Sequence, residues 1–241
     1  MLLEVQPLNQ PGERQPPQWA IVTDVVPADE PRHLRHQPAL DPLFTPNWTR
    51  TTLSAFAATQ VAEGAIDFRQ VLDALYRRRP LAVLPRELVW TLRRGIQVLV
   101  DENEGFSFYQ RDTPPLVEML AAVASRDRTE VLRFFDVPTR GVRRARFDAP
   151  TVWRPPAAGT PIVIVSDFGL VRGAKKRGGA TPGDWERVAA MSRAAGCALL
   201  GITPLEPRRW PPRLKRAVKL LRWDRRATAA LARRVARGEL P

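Results

Sequence analysis

The chain has one cysteine, Cys197, and two histidines, His33 and His36, in 241 residues. A single thiol excludes an internal disulfide and any zinc cluster built on cysteines. Both histidines sit among the prolines near the N-terminus, so a histidine-rich metal site is excluded too. No apolar run approaches the roughly 18 residues of a spanning helix, so no transmembrane segment is expected. Met1-Leu2-Leu3-Glu4-Val5 has no basic start and no long apolar core, so no secretory signal is expected. With one thiol and no signal, the expected compartment is a reducing cytoplasm. Hydrophobic residues at 44% and charged residues at 26% match an ordinary globular chain and argue against a wholly disordered one.

Lysine is also scarce. Only Lys175, Lys176, Lys215 and Lys219 accompany the arginines, and asparagine is limited to Asn9, Asn47 and Asn103. A GC-rich coding sequence gives that bias without functional demand. It does not explain the sign of the charge, which is +13. From Leu205 to Pro241 there are twelve Lys or Arg against Glu206, Asp224 and Glu239, so this stretch carries +9 of the total. Such a basic C-terminal tail suits an acidic protein partner or contact with nucleic acid.

Prolines 7, 11, 16, 17, 27, 31, 38 and 42 interrupt every possible helix in residues 1–42, which read as an extended arm. Residues 43–94 read as a helical lead-in. Trp48, Leu53, Phe56 and Val61 lie in one candidate helix that ends at Gly64. Asp67 caps a second, whose Phe68, Val71, Leu72, Leu75 and Tyr76 share one face.

The pattern changes at Gly95. Gly95 to Asp101 is a short apolar run ending in an acid, the form of a buried parallel strand. Thr113-Pro114-Pro115 opens a helix with Leu116, Met119, Leu120 and Val123 inward. Thr129–Phe135 and Val142–Phe147 are further strands, the last at an edge. Thr160–Asp167 is another buried strand ending in an acid. Thr181 and Asp184 have capping-box spacing for a helix closed by Gly196. A strand over Cys197–Thr203, a basic helix after Pro211-Pro212 and a last helix from about Arg225 to Arg237 complete the pass. The predicted class is α/β, a Rossmann-like, mostly parallel sheet over 95–223 with helices on both faces and a basic helix over 224–241.

Ligands of open α/β sheets bind beyond the carboxyl ends of the strands. Asp101 and Asp167 take such positions. On neighbouring strands they would face one cleft, where paired carboxylates share a proton or hold a divalent cation such as Mg²⁺.

Gly95–Asp101, with the loop Asp101-Glu102-Asn103-Glu104-Gly105, resembles the first strand and Asp-x-Ser-x-Ser motif of von Willebrand factor A domains. Val163-Ile164-Val165-Ser166-Asp167 resembles their later strand with its terminal Asp. The resemblance covers about residues 95–223 and implies a vWA-type sheet with a metal-ion-dependent adhesion site. It implies Asp101, Asn103 and Asp167 as metal positions and Mg²⁺ as the cofactor. Asn103 replaces the first serine and Gly105 the second, and Thr139 and Thr160 are the only candidates for the family's threonine, so the implied site is degenerate. The lead-in with Leu92-Arg93-Arg94-Gly95 is similar to the A-domain protein of bacterial ternary systems. That implies a MoxR-type AAA+ ATPase and a β-propeller protein as partners, and a setting in bacterial conflict.

Two functional expectations follow. The first is a non-catalytic adaptor, with no catalytic residues, whose rim residues Glu102, Glu104, Lys175, Lys176 and Arg177 meet a partner. The second is a Mg²⁺-dependent nuclease of PIN-like or NYN-like fold. Its further acids would have to come from Glu102, Glu104, Asp112 and Asp184.

Overall fold

A computed structural model describes residues 43–171 and 179–239. The expected arm over 1–42 and the loop residues Lys175, Lys176 and Arg177 lie outside them.

The centre is a six-stranded sheet. Its strands are β3 (Ile96–Asp101), β4 (Thr129–Phe134), β5 (Val142–Arg143), β6 (Ile162–Val165), β7 (Leu199–Thr203) and β8 (Lys219–Arg222). The spatial order is β5-β4-β3-β6-β7-β8. All neighbours run parallel except β5, which pairs antiparallel with β4 at the edge. The order reverses between β3 and β6, which makes the carboxyl end of that pair the topological switch point.

Every residue of β3 is buried, as expected of a central strand covered on both faces. Its alternation divides the core. Ile96, Val98 and Val100 join the helices α1 (Pro46–Ala57), α3 (Thr113–Ala124) and α6 (Ala229–Arg237) through Leu53, Phe56, Leu116, Leu120 and Val235. Leu99 faces the other layer, with Trp185 and Val188 of α4 (Pro182–Ala194) and Leu214 of α5 (Pro212–Ala217). Helices therefore cover both faces, as the alternating pattern predicts. Gln97 is the polar exception. It accepts from Trp153 Nε1 at 3.0 Å and donates to Glu130 at 2.8 Å, so its burial leaves neither amide group unmet.

The predicted capping box at α4 forms. Asp184 N–H donates to Thr181 Oγ1 and Thr181 N–H donates to Asp184 Oδ2 at 2.9 Å. Gly196 follows that helix at φ +70°, a conformation a side chain would strain. The N-cap of α3 is Asp112 rather than Thr113, which is the first helical residue.

Three further expectations fail. The lead-in is not all helical, because Val61 lies in β1 (Thr59–Val61), which pairs antiparallel with β2 (Val89–Thr91). The basic helix after Pro212 stops at Ala217 and the chain turns into β8. Leu214, Val218 and Leu221 fit a helical face, but pairing of Leu220 and Leu221 with Gly201 and Ile202 buries both leucines at once. The strand expected over Val142–Phe147 is only two residues long. The +9 segment is therefore not a loose tail: β8 and α6 belong to the body of the fold, and Lys219 Nζ donates to Ala236 O at 2.6 Å, capping α6.

Between β1 and β2 the chain makes an excursion closed at its neck by an Ile66–Arg86 bridge. It carries α2 (Phe68–Tyr76), capped as predicted by Asp67, which accepts from Gln70 N–H at 3.1 Å. Whereas α1 packs on α3 and α6, no helix or strand among the described residues packs substantially on α2. Its apolar face is left exposed.

No helix among the described residues is long and apolar enough to cross a membrane.

Candidate functional site

Parallel pairing of β3 with β4 and β6 brings three strand ends to one edge of the sheet. Each run carries an acid there: Asp101 ends β3, Asp136 follows β4, and Asp167 follows β6. Asp101 and Asp167 thus stand at the ends of neighbouring strands beside the switch point, Asp101 bonded to Ser166 and Asp167 to its own loop. Asp136 carries the same signal, Val131-Leu132-Arg133-Phe134-Phe135-Asp136. The expected strand Thr129–Phe135 stops just before this acid, which sequence reasoning missed, and β4 itself ends at Phe134.

Asp101 is 2% exposed and both its oxygens are held. Oδ1 accepts from Asn103 N–H at 2.9 Å, and Oδ2 accepts from the Ser166 hydroxyl at 2.6 Å. Asn103 in turn accepts from Gly105 N–H at 3.1 Å and donates Nδ2 to Asp136 Oδ1 at 2.6 Å. Arg140 reaches the other Asp136 oxygen at 3.2 Å and stands 3.9 Å from Asp184 at the start of α4. Asp167 is fully buried and accepts from Gly169 N–H at 3.0 Å and Val171 N–H at 3.1 Å. The three loops leaving the sheet are therefore tied together and shaped by short side chains bonding to nearby backbone, the usual work of Asx and Ser turns.

Burial pushes the Asp101 carboxyl up to about 7. The Ser166 and Asn103 hydrogen bonds oppose that rise, while the charges of Asp167 and Asp136 add to it. Asp101 is thus held near the point where it takes up a proton at neutral pH.

Asp136 and Phe168 both lie at positive φ, 62° and 56°. Asp tolerates that conformation and Phe does not readily. Phe168 is held there by Trp185, whose ring stands 4.8 Å away edge-on and whose Nε1 donates to Phe168 O at 3.3 Å.

The expected rim residues Glu102 and Glu104 line one cleft. Glu102 is turned into the protein edge, with Arg133 at 3.2 Å and Arg143 at 3.5 Å, so it joins β4 to β5. Glu104 is exposed where it lines the cleft, which holds about 710 Å³ beside α3. Asp101 reaches that cleft, together with Ser107, Glu118 and Arg146. Phe135 closes one side, under the guanidinium of Arg143 at 4.4 Å.

The strand-end side chains of Asp101, Asn103 and Asp167 carry hard oxygens, the donor type a divalent cation takes. They are also engaged in the loop bonds just described, and Arg140 already meets Asp136. Among the described residues no group of three or more His, Cys, Asp or Glu side chains has the arrangement of a metal cluster.

No family model matches the chain, and comparison with curated proteins finds no relative.

Proposed function

We propose that the protein is a non-catalytic interaction module that presents the carboxyl edge of its sheet to a protein partner. The observation that carries this reading is the wiring of the strand-end polar groups. The Asp101, Asn103 and Asp167 side chains, with Ser166, accept or donate within the 101–105 and 166–171 loops. A general base or nucleophile needs a lone pair aimed at a substrate. A docking rim needs loops of fixed shape, and these bonds supply that.

The resemblance to von Willebrand factor A domains supports the same reading and refines it to a vWA-type module with a degenerate adhesion site. Asp101, Asn103 and Asp167 would hold Mg²⁺ only by exchanging some of these loop bonds for it, and the ion would then supply a coordination position for a partner's carboxylate. The ternary-system similarity makes a MoxR-type AAA+ ATPase and a β-propeller protein the proposed partners. The Mg²⁺-dependent nuclease is the second reading. What favours it is Asp136, a third acid at the same edge, since two-metal hydrolysis draws on several carboxylates.

Co-purification from the native host tests the choice, run at about 0.1 M and about 0.5 M salt with and without Mg²⁺. The adaptor reading expects an AAA+ ATPase or propeller partner that survives the higher salt. Salt-sensitive nucleic acid with no protein partner would overturn it in favour of the nuclease.

A further inference from the structure

Helices α4 and α5 pack side by side over one face of the sheet. From Pro182 to Ala217 the chain carries seven Lys or Arg against Asp184, Glu186 and Glu206, a net of +4. Arg213 grips Glu186 through Nε at 2.8 Å and Nη2 at 2.6 Å, which joins the two helices. The Glu186 carboxyl is lowered by Arg213 first and by Arg216 as well, so Arg216 stands at the same seam. Glu186, Ala190 and Arg193 share one flank of α4, which places Arg193 on the side that meets α5.

The three acids of this layer are already engaged. Glu186 is held by Arg213, Glu206 by Arg208 and Arg222, and Asp184 by Thr181, with Arg140 and Arg187 beside it. Among the described residues Arg193, Lys215 and Arg216 have no carboxylate partner, and all three are exposed. Arg209 has none either, because it donates to Leu170 O at 3.4 Å and a carbonyl leaves its charge uncancelled. The same layer has little else to offer a ligand. No large apolar side chain of residues 182–217 is exposed. A protein interface sets an apolar core inside its polar rim, and an anionic bilayer holds a protein stably only where an apolar or lipid anchor adds to the basic patch. Single-stranded nucleic acid takes exposed aromatic platforms. Here Trp185 is buried, and Trp210 packs against the core with its Nε1 bonded to Leu205 O at 3.1 Å.

We infer that the α4–α5 face binds the phosphate backbone of a nucleic-acid duplex without reading its sequence, through Arg193, Arg209, Lys215 and Arg216. Three of the four are arginines, whose planar fork matches a phosphate. The 13 residues of α4 make a face about 20 Å long. At about 3.4 Å per base pair that spans about six base pairs. This goes beyond the adaptor reading, because it gives the chain a nucleic-acid surface as well as a protein rim, and it needs neither Mg²⁺ nor cleavage.

Fluorescence anisotropy with the full chain tests it, in EDTA so that Mg²⁺-dependent cleavage contributes nothing. The probes are two DNA duplexes of unrelated sequence, an RNA duplex and a DNA single strand, each about three footprints long. The two DNA duplexes should bind alike, within about twofold, and log Kd should rise with log salt at a slope of about 3–4 for four phosphate contacts. The RNA arm shows which backbone the face prefers, and failure of both duplex types to bind overturns the inference. Arg193→Glu with Arg216→Glu should weaken binding at least about tenfold and lower the slope by about 2. Arg233→Glu with Arg234→Glu removes the same charge from α6, on the other face of the sheet, and should leave affinity within about threefold. Equal losses in the two double variants would make the effect one of bulk charge and overturn the inference. So would tighter binding of the single strand than of the duplex. Binding to polyglutamate or to phosphatidylglycerol–phosphatidylcholine vesicles as tight as to duplex would overturn it too. All four substituted positions are exposed, so the variants should keep the circular dichroism of the parent chain. The rim partner should co-purify with both variants, so duplex failure with that partner retained counts against the α4–α5 face alone.

Discussion

The Ser166 hydroxyl donates to Asp101 Oδ2 at 2.6 Å, directly across the β3–β6 pair where the strand order reverses. This one bond fixes both strand ends and opposes the rise that burial imposes on the Asp101 carboxyl. Ser166→Ala should leave a buried carboxylate oxygen unmet and cost about 1–3 kcal/mol near neutral pH. Chemical denaturation at pH 8 and pH 5 checks it, and the loss should be larger at pH 8, where the carboxylate is charged.

Asp101 itself should make stability fall as pH rises. Its carboxyl is raised to about 7 in the folded chain, against about 3.9 for an ordinary aspartate. Between those values the folded state holds the extra proton, so ΔG of unfolding declines with pH and levels off above about 7. Asp101→Asn should flatten that decline, measured by denaturation from pH 4.5 to 8.5 without divalent ions. An unchanged slope would show that Asp101 does not titrate there.

The α4 capping box should show the opposite sign. The Thr181 N–H bond lowers the Asp184 carboxyl, with desolvation opposing and the Thr181 hydroxyl and Arg140 assisting. Its stabilisation is present above the ordinary carboxylate range and is lost as pH falls through the depressed value. Thr181→Ala should cost about 0.5–2 kcal/mol at pH 7. The gap between variant and parent should narrow in acid.

Gly201 lies in β7 under the residue that follows Asp167. A Cβ there would stand 2.6 Å from the Phe168 ring and 2.7 Å from Leu220. Gly201→Val should therefore cost about 1–3 kcal/mol by overpacking. Because it pushes on Phe168, it should also weaken the rim partner. Gly183→Ala, where the nearest atom is 3.7 Å away, is the control and should do neither.

The features legible in the sequence were those a single local pattern decides. β3 and β6 announce themselves as apolar runs ending in acids, and Thr181-x-x-Asp184 announces α4. β8 was hidden because Leu214, Val218 and Leu221 satisfy a helix as well as a short helix followed by a strand, and only pairing with β7 resolves the choice. β1 and β2 are three residues each and lie far apart in sequence, so no window contains their hydrogen-bond partners. At the site, Asp101 and Asp167 were visible as endings of apolar runs that contain no charged residue, with Gln97 and Ser166 among their uncharged polar members. Asp136 was masked by Arg133 within its strand, and Arg140 reaches it from a one-turn 3₁₀ segment that leaves no periodic trace. The pairing of Glu102 with Arg133 and Arg143 was hidden because both arginines come from strands well downstream.

Backbone hydrogen exchange on the chain alone and with its co-purified partner tests the rim reading most directly. The account predicts new protection in residues 102–107, 136–140 and 167–171, the three loops tied by Asp101, Asn103, Asp136 and Asp167. Protection confined to other segments, with these three loops exchanging as in the free chain, would contradict it.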